Sequence, residues 1–180
     1  MSWVLANLPT IAGHLLAHLL QAVPAIVASF VLAIPIARLA RVARPLRAVL
    51  VTGSSLLYAV PSLALFVILP IILATGIRDP LNVIVALTLY GLALLVPATA
   101  DALDAVDARV LDAATAMGMG RLRCFLTVEL PLAGPAILTG LRVVTVSTIS
   151  LTTVGAVLGV RSLGWLFTDG FQRGITAEIV

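Results

Sequence analysis

The residues best suited to contact a small solute are hydroxylated side chains within one apolar segment near the C-terminal end of the chain. Thr145, Thr148 and Thr152 recur at helical spacing, with Ser147 and Ser150 beside them. Hydroxyl groups can replace part of a solute's hydration shell without holding the solute tightly, which suits the lining of a translocation path. Ser and Thr side chains also join helices inside membranes. The pattern therefore predicts either a path lining or helix packing, and both interpretations stay open.

Other chemistries have weaker support in the sequence. His14 and His18 lie four residues apart and share one helix face, but no third metal ligand lies nearby. The single Cys124 excludes an internal disulfide and is interpreted as a small buried apolar residue. The sequence has no phosphate loop of the form G-x-x-x-x-G-K-[ST] and no catalytic Ser/His/Asp or paired-carboxylate constellation. We therefore predict no enzyme, no catalytic residue, no metal and no bound cofactor.

The composition identifies the class of protein that must position these residues. The mean hydropathy is +1.18, with 61% hydrophobic and 11% charged residues, whereas about 25% of residues are charged in a typical soluble domain. This balance is typical of an all-α polytopic membrane protein. A nucleic-acid partner is not predicted, because no soluble basic domain is present.

Apolar segments predict four complete membrane spans and the start of a fifth within a single transmembrane domain, residues 1–180. The predicted spans cover about residues 15–37, 49–75, 81–100 and 132–158, and a less apolar loop covers 101–131. ITAEIV at the C-terminal end of the sequence begins a fifth span, most of which is predicted to be missing. No basic region precedes the first apolar segment, so no signal peptide is predicted.

Arginines set the predicted orientation of these spans. Arg38, Arg41, Arg44 and Arg47 follow the first span without an intervening acid. Seven of the eleven arginines lie in the two predicted inner loops and three in outer segments. The positive-inside rule therefore places the N-terminus outside and the loop of residues 101–131 in the cytoplasm.

Two predicted segments carry residues that could shape a path. Within the second span, Pro61 and Ser62 can break a helix or let a neighbouring helix approach closely, although ordinary helix packing is an alternative. The segment from Gly155 to Arg173 is predicted to be an outer loop with an interfacial aromatic belt. Its Trp165 could instead contact a quaternary ammonium through a cation–π interaction.

The loop of residues 101–131 is predicted to be a hairpin of two short helices. Helix formers extend from about Asp104 to Met117, and a second helix is expected from about Arg121 to Leu130. Between them, Gly118 and Gly120 favour a sharp corner, and Pro131 suits the first turn of the next helix. From the residues alone, the hairpin could either dock on a partner or lie on the lipid headgroups.

The spacing in this loop resembles the EAA loop of bacterial ABC importer permeases. Asp112-Ala113-Ala114 is followed after three residues by Gly118, and after nine more by Val128-Glu129-Leu130-Pro131. The resemblance implies a type I importer permease fold and a coupling helix that docks on a cytoplasmic ATPase. It assigns Asp112, Ala113 and Ala114 to the docking face, Gly118 to the corner, and Leu130 and Pro131 to the start of the fourth span. Asp112 replaces the family's glutamate with a shorter acid.

Two further segments are similar to the osmoprotectant group of these permeases. They are Pro61-Ser62-Leu63-Ala64-Leu65 and the start of the fourth span, VELPLAGPAILTGLR. The resemblance implies import of glycine betaine, choline, carnitine or proline. Tyr58-Ala59-Val60 departs from the residues common in that group, so an importer of another small solute, such as an amino acid, stays an alternative. A secondary transporter and a membrane scaffold also stay alternatives, although no acid lies within a predicted span and Arg142 is the one arginine there.

The resemblance also implies the partners of the chain. It predicts a dimer of cytoplasmic ABC ATPases that bind ATP, a second permease subunit that is identical or paralogous, and an extracytoplasmic solute-binding protein. The predicted location is the bacterial plasma (inner) membrane, with several passes through the bilayer.

Overall fold

A computed structural model describes residues 2–41 and 47–175, which fold into helices joined by turns. The helices are α1 (Ser2–Ala6), α2 (Leu8–Ala40), α3 (Gly53–Tyr58), α4 (Ser62–Leu73), α5 (Pro80–Asp104), α6 (Ala108–Ala116), α7 (Arg121–Cys124), α8 (Leu130–Thr152) and α9 (Leu163–Arg173). A π-helical turn at Ala48–Thr52 leads into α3, a second at Phe125–Glu129 joins α7 to α8, and a 3-10 helix at Thr153–Leu158 follows α8.

Among the described residues, three helical stretches are long and apolar enough to cross a membrane: Leu8–Ala40, Pro80–Asp104 and Arg121–Leu158. They contain the predicted first, third and fourth spans but extend beyond the predicted limits, because the amphipathic sequence at their ends continues to form helix. The third span runs on to Asp104, where the sequence predicted the first loop helix to begin. That loop helix is correspondingly shorter, covering Ala108–Ala116.

The predicted second span, residues 49–75, is not one continuous helix. Its halves, Ala48–Tyr58 and Ser62–Leu73, meet at an angle of 110°. Pro61 lies at the break with ψ 130°, outside the helical region. A proline disfavours helical geometry in the residue before it, here Val60, and donates no backbone hydrogen bond. The described residues therefore contain three continuous candidate spans and one bent pair that adds a fourth if both halves are counted together.

Helix α5 lies at the centre of the protein. In the most apolar stretch of α5, 61% of the residues are buried. The corresponding share is 28% both in α2 and in Arg121–Leu158. Ser29 of α2 donates a hydrogen bond to the Thr88 carbonyl oxygen at 3.1 Å. The two helices run in the same direction, because Ala25 clusters with Val83 near their first halves and Ala37 with Ala100 near their C-terminal ends. The core between the helices comprises three apolar clusters, whose largest fully buried side chains include Phe66, Leu87, Leu95, Leu103, Ile137 and Val144.

The helices bring two groups of segments together at opposite ends of the protein. At one end, called the loop end, the C-terminal ends of α2 and α5 lie beside the π-helical turn after α7 and the start of α8. At the other, called the far end, α9 and the 3-10 helix lie beside the turn between α4 and α5. Arg44 of the predicted orientation signal and residues 176–180 of the predicted fifth span fall outside the described residues.

Candidate coupling loop and solute path

The loop end carries a helical hairpin formed by α6 and α7. Asp107 begins α6, since its Oδ1 atom accepts a hydrogen bond from the Arg109 backbone N–H at 2.9 Å. Its carboxylate also pairs with the Arg109 guanidinium at 2.9 Å. These hydrogen bonds, chiefly the one from the guanidinium, hold the pKa of Asp107 below its ordinary value. The cap is therefore ionised at neutral pH.

The hairpin turns at Gly118, where the sequence predicted a corner. Gly118 has a φ of +81°, in the left-handed region that favours glycine. The turn is closed by hydrogen bonds from Gly118 N to Thr115 O at 2.9 Å and from Met119 N to Ala114 O at 3.2 Å. An added Cβ would meet no other atom within 4 Å. The backbone conformation, and not a lack of space, therefore requires glycine here.

The predicted docking face of α6 is only partly available to a partner. Asp112 and Ala113 are exposed, as a docking surface requires. Ala114 is instead the buried residue of α6, which packs against α7 and the π-helical turn after it. The small side chain of Ala114 allows α6 to pack closely on α7. The assignment of Asp112, Ala113 and Ala114 to a docking face stays a prediction.

The predicted break before the fourth span is also absent. Instead of starting a separate helix at Pro131, the chain is helical from Arg121 to Leu158. The wider π-helical turn at Phe125–Glu129 lies directly before Leu130 and Pro131, so the chain accommodates a proline without ending the helix. Leu130 packs against the apolar cluster of the loop end. The second arm of the hairpin and α8 therefore form one continuous element.

A network of charged residues at the base of the hairpin was missed by the sequence analysis. Arg41 lies 2.9 Å from Asp104 and also pairs with Glu129, while Arg47 pairs with Asp104 and lies 3.5 Å from Asp101. We call these five residues the base cluster. Asp101 and Asp104 lie before α6 and Glu129 lies after α7, so Arg41 connects the two ends of the hairpin.

Beside the base cluster, a cation–π contact attaches α2 to the second arm of the hairpin. The Arg38 guanidinium lies 4.0 Å from the centre of the Phe125 ring. Two arginines that the sequence analysis used only for orientation, Arg38 and Arg41, therefore also contact the hairpin. These contacts could have been predicted from the acids at both ends of residues 101–131, which have the opposite charge to the arginine-rich segment after the first span.

The broken helix pair places its proline where a path residue could lie. Pro61 is exposed and Ser62 is partly exposed. The carbonyl oxygen of Val60, which the break leaves without a regular helical partner, accepts a hydrogen bond from the Tyr90 hydroxyl. Tyr58 meets the Tyr90 ring edge-on with centroids 5.9 Å apart. The break is thus held in place by α5, and Pro61 and Ser62 stay path candidates.

The predicted hydroxyl stripe divides into buried and partly exposed residues. Thr148 is 2% exposed and Thr152 is fully buried, and the Thr152 hydroxyl donates to the Thr148 carbonyl oxygen at 2.7 Å. Thr145, which is partly exposed, donates to the Leu141 carbonyl oxygen at 2.8 Å. Burial favours the helix-packing alternative for Thr148 and Thr152, whereas Thr145 retains the exposure that a path residue needs.

The burial of Thr148 leads to a prediction about stability. Thr148→Phe is expected to destabilise the protein, because overpacking a tight core typically costs about 1–3 kcal/mol. The amount of folded permease recovered in detergent should fall, and with it the amount of assembled complex. Thr145→Phe, at the partly exposed position, is the matched control and should assemble normally. Normal recovery and stability of Thr148→Phe, with transport blocked, would favour the path interpretation instead.

Comparison with known proteins identifies the family of this chain. Residues 25–180 match the family described as the binding-protein-dependent transport system inner membrane component. The chain belongs to this family. Membership confirms the resemblance to importer permeases that the spacing from Asp112 to Pro131 indicated.

Named relatives include importer permeases for several solutes. The chain is 34% identical over 134 residues to the ergothioneine transport permease/ergothioneine binding protein EgtU of Helicobacter pylori, covering 74% of this chain and 24% of that protein. It is 28% identical over 153 residues to the glycine betaine/carnitine/choline transport system permease protein OpuCD of Bacillus subtilis, covering 85% and 66% of the two chains. The chain thus spans from about a quarter to two thirds of the length of these relatives.

Solved structures share the fold of the family member described here. An inward-facing structure of the MetNI methionine ABC transporter matches with a TM-score of 0.80 and 19% identity, covering 94% of this chain and 84% of the other. The crystal structure of an amino acid ABC transporter with histidines matches with a TM-score of 0.74 and 16% identity, covering 93% and 82%. The predicted all-α importer permease fold is therefore confirmed.

Proposed function

We propose that this family member is the membrane-spanning subunit of an ATP-driven importer and that the hairpin of α6 and α7 is its coupling element. The observation that carries the proposal is the exposed hairpin, which turns at Gly118 and whose second arm continues into the long helix α8. A hairpin that only lies on the lipid headgroups would need no rigid attachment to the membrane-spanning helices. Here the base cluster and the Arg38–Phe125 contact connect both ends of the hairpin to α2 and α5.

The proposed orientation places the loop end in the cytoplasm of a bacterial cell. Arg38, Arg41, Arg47, Arg109 and two arginines of α7 lie at this end, and the positive-inside rule favours the cytoplasmic side for them. The N-terminus and the far end would then face the outside of the inner membrane. This is the side on which an extracytoplasmic solute-binding protein would deliver solute.

The mechanism follows from the rigid connections of the hairpin. Two permease subunits, identical or paralogous, would line the path. Two ATPase subunits would bind ATP and close around the bound nucleotide. No cofactor is assigned to the permease itself. A short helix seated in an ATPase cleft must move with that cleft. Because α7 continues into α8, the displacement reaches the spans directly. Asp112 and Ala113 would contact the ATPase, and Ala114 would hold the two arms together.

The proposed solute is a compatible solute such as glycine betaine, choline, carnitine or proline. The support comes from the names of the relatives, which include glycine betaine, carnitine, choline and ergothioneine permeases. An amino acid importer is the second candidate, because the structurally similar proteins include a methionine transporter. Pro61 and Ser62 at the helix break and Thr145 of α8 are the proposed path residues, with Thr148 and Thr152 supporting the packing behind them.

Uptake of labelled glycine betaine tests this proposal. Cells expressing the complete transport system after osmotic upshift should accumulate glycine betaine, and unlabelled choline or proline should compete while methionine should not. Uptake should disappear when the ATPase subunit is inactivated. An assembled, ATP-hydrolysing complex that takes up methionine but not glycine betaine would contradict the osmolyte assignment and support the amino acid alternative. A chain that associates with no ATPase would contradict the importer proposal itself.

A further inference from the structure

A pocket at the far end of the protein has no role in the coupling mechanism. Its volume is about 460 Å³, and it lies between α9, the 3-10 helix and the turn between α4 and α5. We call it the end pocket. Its polar and aromatic lining residues are Arg78, Trp165, Thr168, Asp169 and Gln172. A volume of this size falls within the range of about 300–1,000 Å³ that is usual for small-molecule sites.

One side of the end pocket carries a cation that is available to a ligand. Arg78 forms no ion pair with any residue in the ranges 2–41 and 47–175. The neighbouring Asp79 is already used, since its Oδ1 accepts from the Leu81 backbone N–H at 2.9 Å to begin α5. A guanidinium presents several N–H donors in a fork that matches a carboxylate.

The backbone beside Arg78 is shaped to leave room for its side chain. Gly159 has a φ of +81°, and a Cβ added there would lie 3.1 Å from the Arg78 Nε atom. An alanine at this position would both strain the backbone and displace the guanidinium. Gly159 is therefore a positioning residue for Arg78.

The α9 side of the pocket carries an indole ring that favours a cation and a carboxylate that already pairs with an arginine. Trp165 is held by stacking on His14, with ring centroids 4.8 Å apart and planes 6° from parallel. Asp169 lies one helical turn further along α9 and pairs with the exposed Arg173 at 3.1 Å. An indole ring attracts a quaternary ammonium through its π face, most strongly when water is excluded. Since His14 covers one face of the indole, a ligand would contact the opposite face or the edge.

We propose that the end pocket is a low-affinity site for a small zwitterion. The ligand's carboxylate would bind Arg78, and its quaternary ammonium would lie against Trp165, near the carboxylate of Asp169. Glycine betaine and carnitine combine these two groups in one small molecule, whereas choline has the ammonium but no carboxylate. The inference rests on the proposed function, in which the far end receives solute on the outer side of the membrane. A zwitterionic lipid headgroup has the same chemistry and must be distinguished from a free solute.

Trp165 provides a direct readout for this site. The sequence has two tryptophans, so Trp3→Phe leaves Trp165 as the one tryptophan among these 180 residues. The permease–ATPase complex is placed in phosphatidylglycerol nanodiscs without its binding protein, with the ATPase tryptophans replaced by phenylalanine. Titration with glycine betaine is expected to change Trp165 emission saturably in the millimolar range. A linear or absent response would overturn the proposal.

Comparison of glycine betaine with choline tests the role of Arg78. Arg78→Gln is expected to weaken glycine betaine binding by about tenfold or more, equivalent to about 1.4 kcal/mol, while choline binding changes little because choline has no carboxylate. Gly159→Ala should act in the same direction, and Arg109→Gln at the loop end should have no effect. Equal weakening of both ligands by Arg78→Gln would show a structural effect only and overturn the assignment.

Two further measurements separate the remaining explanations. Nanodiscs containing phosphatidylethanolamine or phosphatidylcholine test the headgroup alternative: if these lipids change Trp165 emission and glycine betaine does not, the site binds lipid and the solute assignment is wrong. Uptake by the complete transport system is measured in parallel. Normal glycine betaine uptake without a fluorescence response would refute the end-pocket site while leaving the proposed function intact.

Discussion

Gly118→Val is expected to abolish transport while leaving membrane insertion and the amount of permease unchanged. Gly118 has a φ of +81°, and a left-handed conformation costs a residue with a Cβ roughly 1–2 kcal/mol, with β-branched side chains the least tolerated. The surroundings are open, so the substitution changes the direction of α7 relative to α6 without disturbing the core. Under the proposed function, a hairpin with the wrong turn would not fit the cleft of the ATPase. The measurement is ATP-dependent uptake by reconstituted complexes, together with co-purification of the ATPase.

Two variants control for this interpretation. Asparagine tolerates the left-handed region better than most residues, so Gly118→Asn should retain much of the transport activity. Gly120 has an ordinary φ of −66° and equally open surroundings, so Gly120→Ala should be nearly neutral. Full uptake by Gly118→Val would show that the corner does not couple the ATPase to the spans.

Arg41→Gln is expected to uncouple ATP hydrolysis from transport. The substitution removes the arginine that pairs with both Asp104 and Glu129, and of these two acids Asp104 keeps its pair with Arg47. The side chains of Arg41 and Glu129 are 30% and 12% exposed, so the cost should lie between about 1 kcal/mol for exposed pairs and about 3–5 kcal/mol for breaking buried ones. Uptake should fall by at least about tenfold, which corresponds to 1.4 kcal/mol, while ATPase activity continues.

Arg109→Gln is the matched control for the base cluster. Arg109 is also a loop-end arginine in an ion pair, but its side chain is 90% exposed and its partner Asp107 is two residues away on the same hairpin. Its loss should therefore leave coupling unchanged. The exchange Arg41→Glu with Glu129→Arg should restore part of the lost uptake, because it keeps one opposite-charge pair between the end of α2 and the second end of the hairpin. Equal effects of Arg41→Gln and Arg109→Gln would argue against a coupling role for the base cluster.

The sequence alone predicted the class of protein and the main features of the hairpin. Hydropathy identifies long apolar helices because each turn inside a bilayer must be apolar, whichever helices surround it. The corner at Gly118 is equally local, since a glycine after helix formers favours a left-handed turn regardless of tertiary contacts. The spacing from Asp112 to Pro131 likewise indicated the family that the comparison confirmed.

Burial and the base cluster depended on contacts between segments far apart in the chain. Periodicity shows that Ala113 and Ala114 lie on a helix, but only the packing of α6 on α7 buries Ala114 and leaves Ala113 exposed. In the same way, α8 turns Thr148 and Thr152 into the core. The pairing of Arg41 with Asp104 and Glu129 spans up to 88 positions in the sequence.

The geometry of the helix break and of the end pocket was decided by the tertiary structure as well. A proline at position 61 predicts a disturbance, but the 110° bend is fixed by neighbours such as Tyr90, which binds the carbonyl oxygen of Val60. Arg78 and Trp165 come from segments on either side of two long helices and meet only when α9 folds back on the far end. Local sequence determines which backbone conformations are favourable, whereas the juxtaposition of distant side chains depends on which helix faces bury the most apolar surface together.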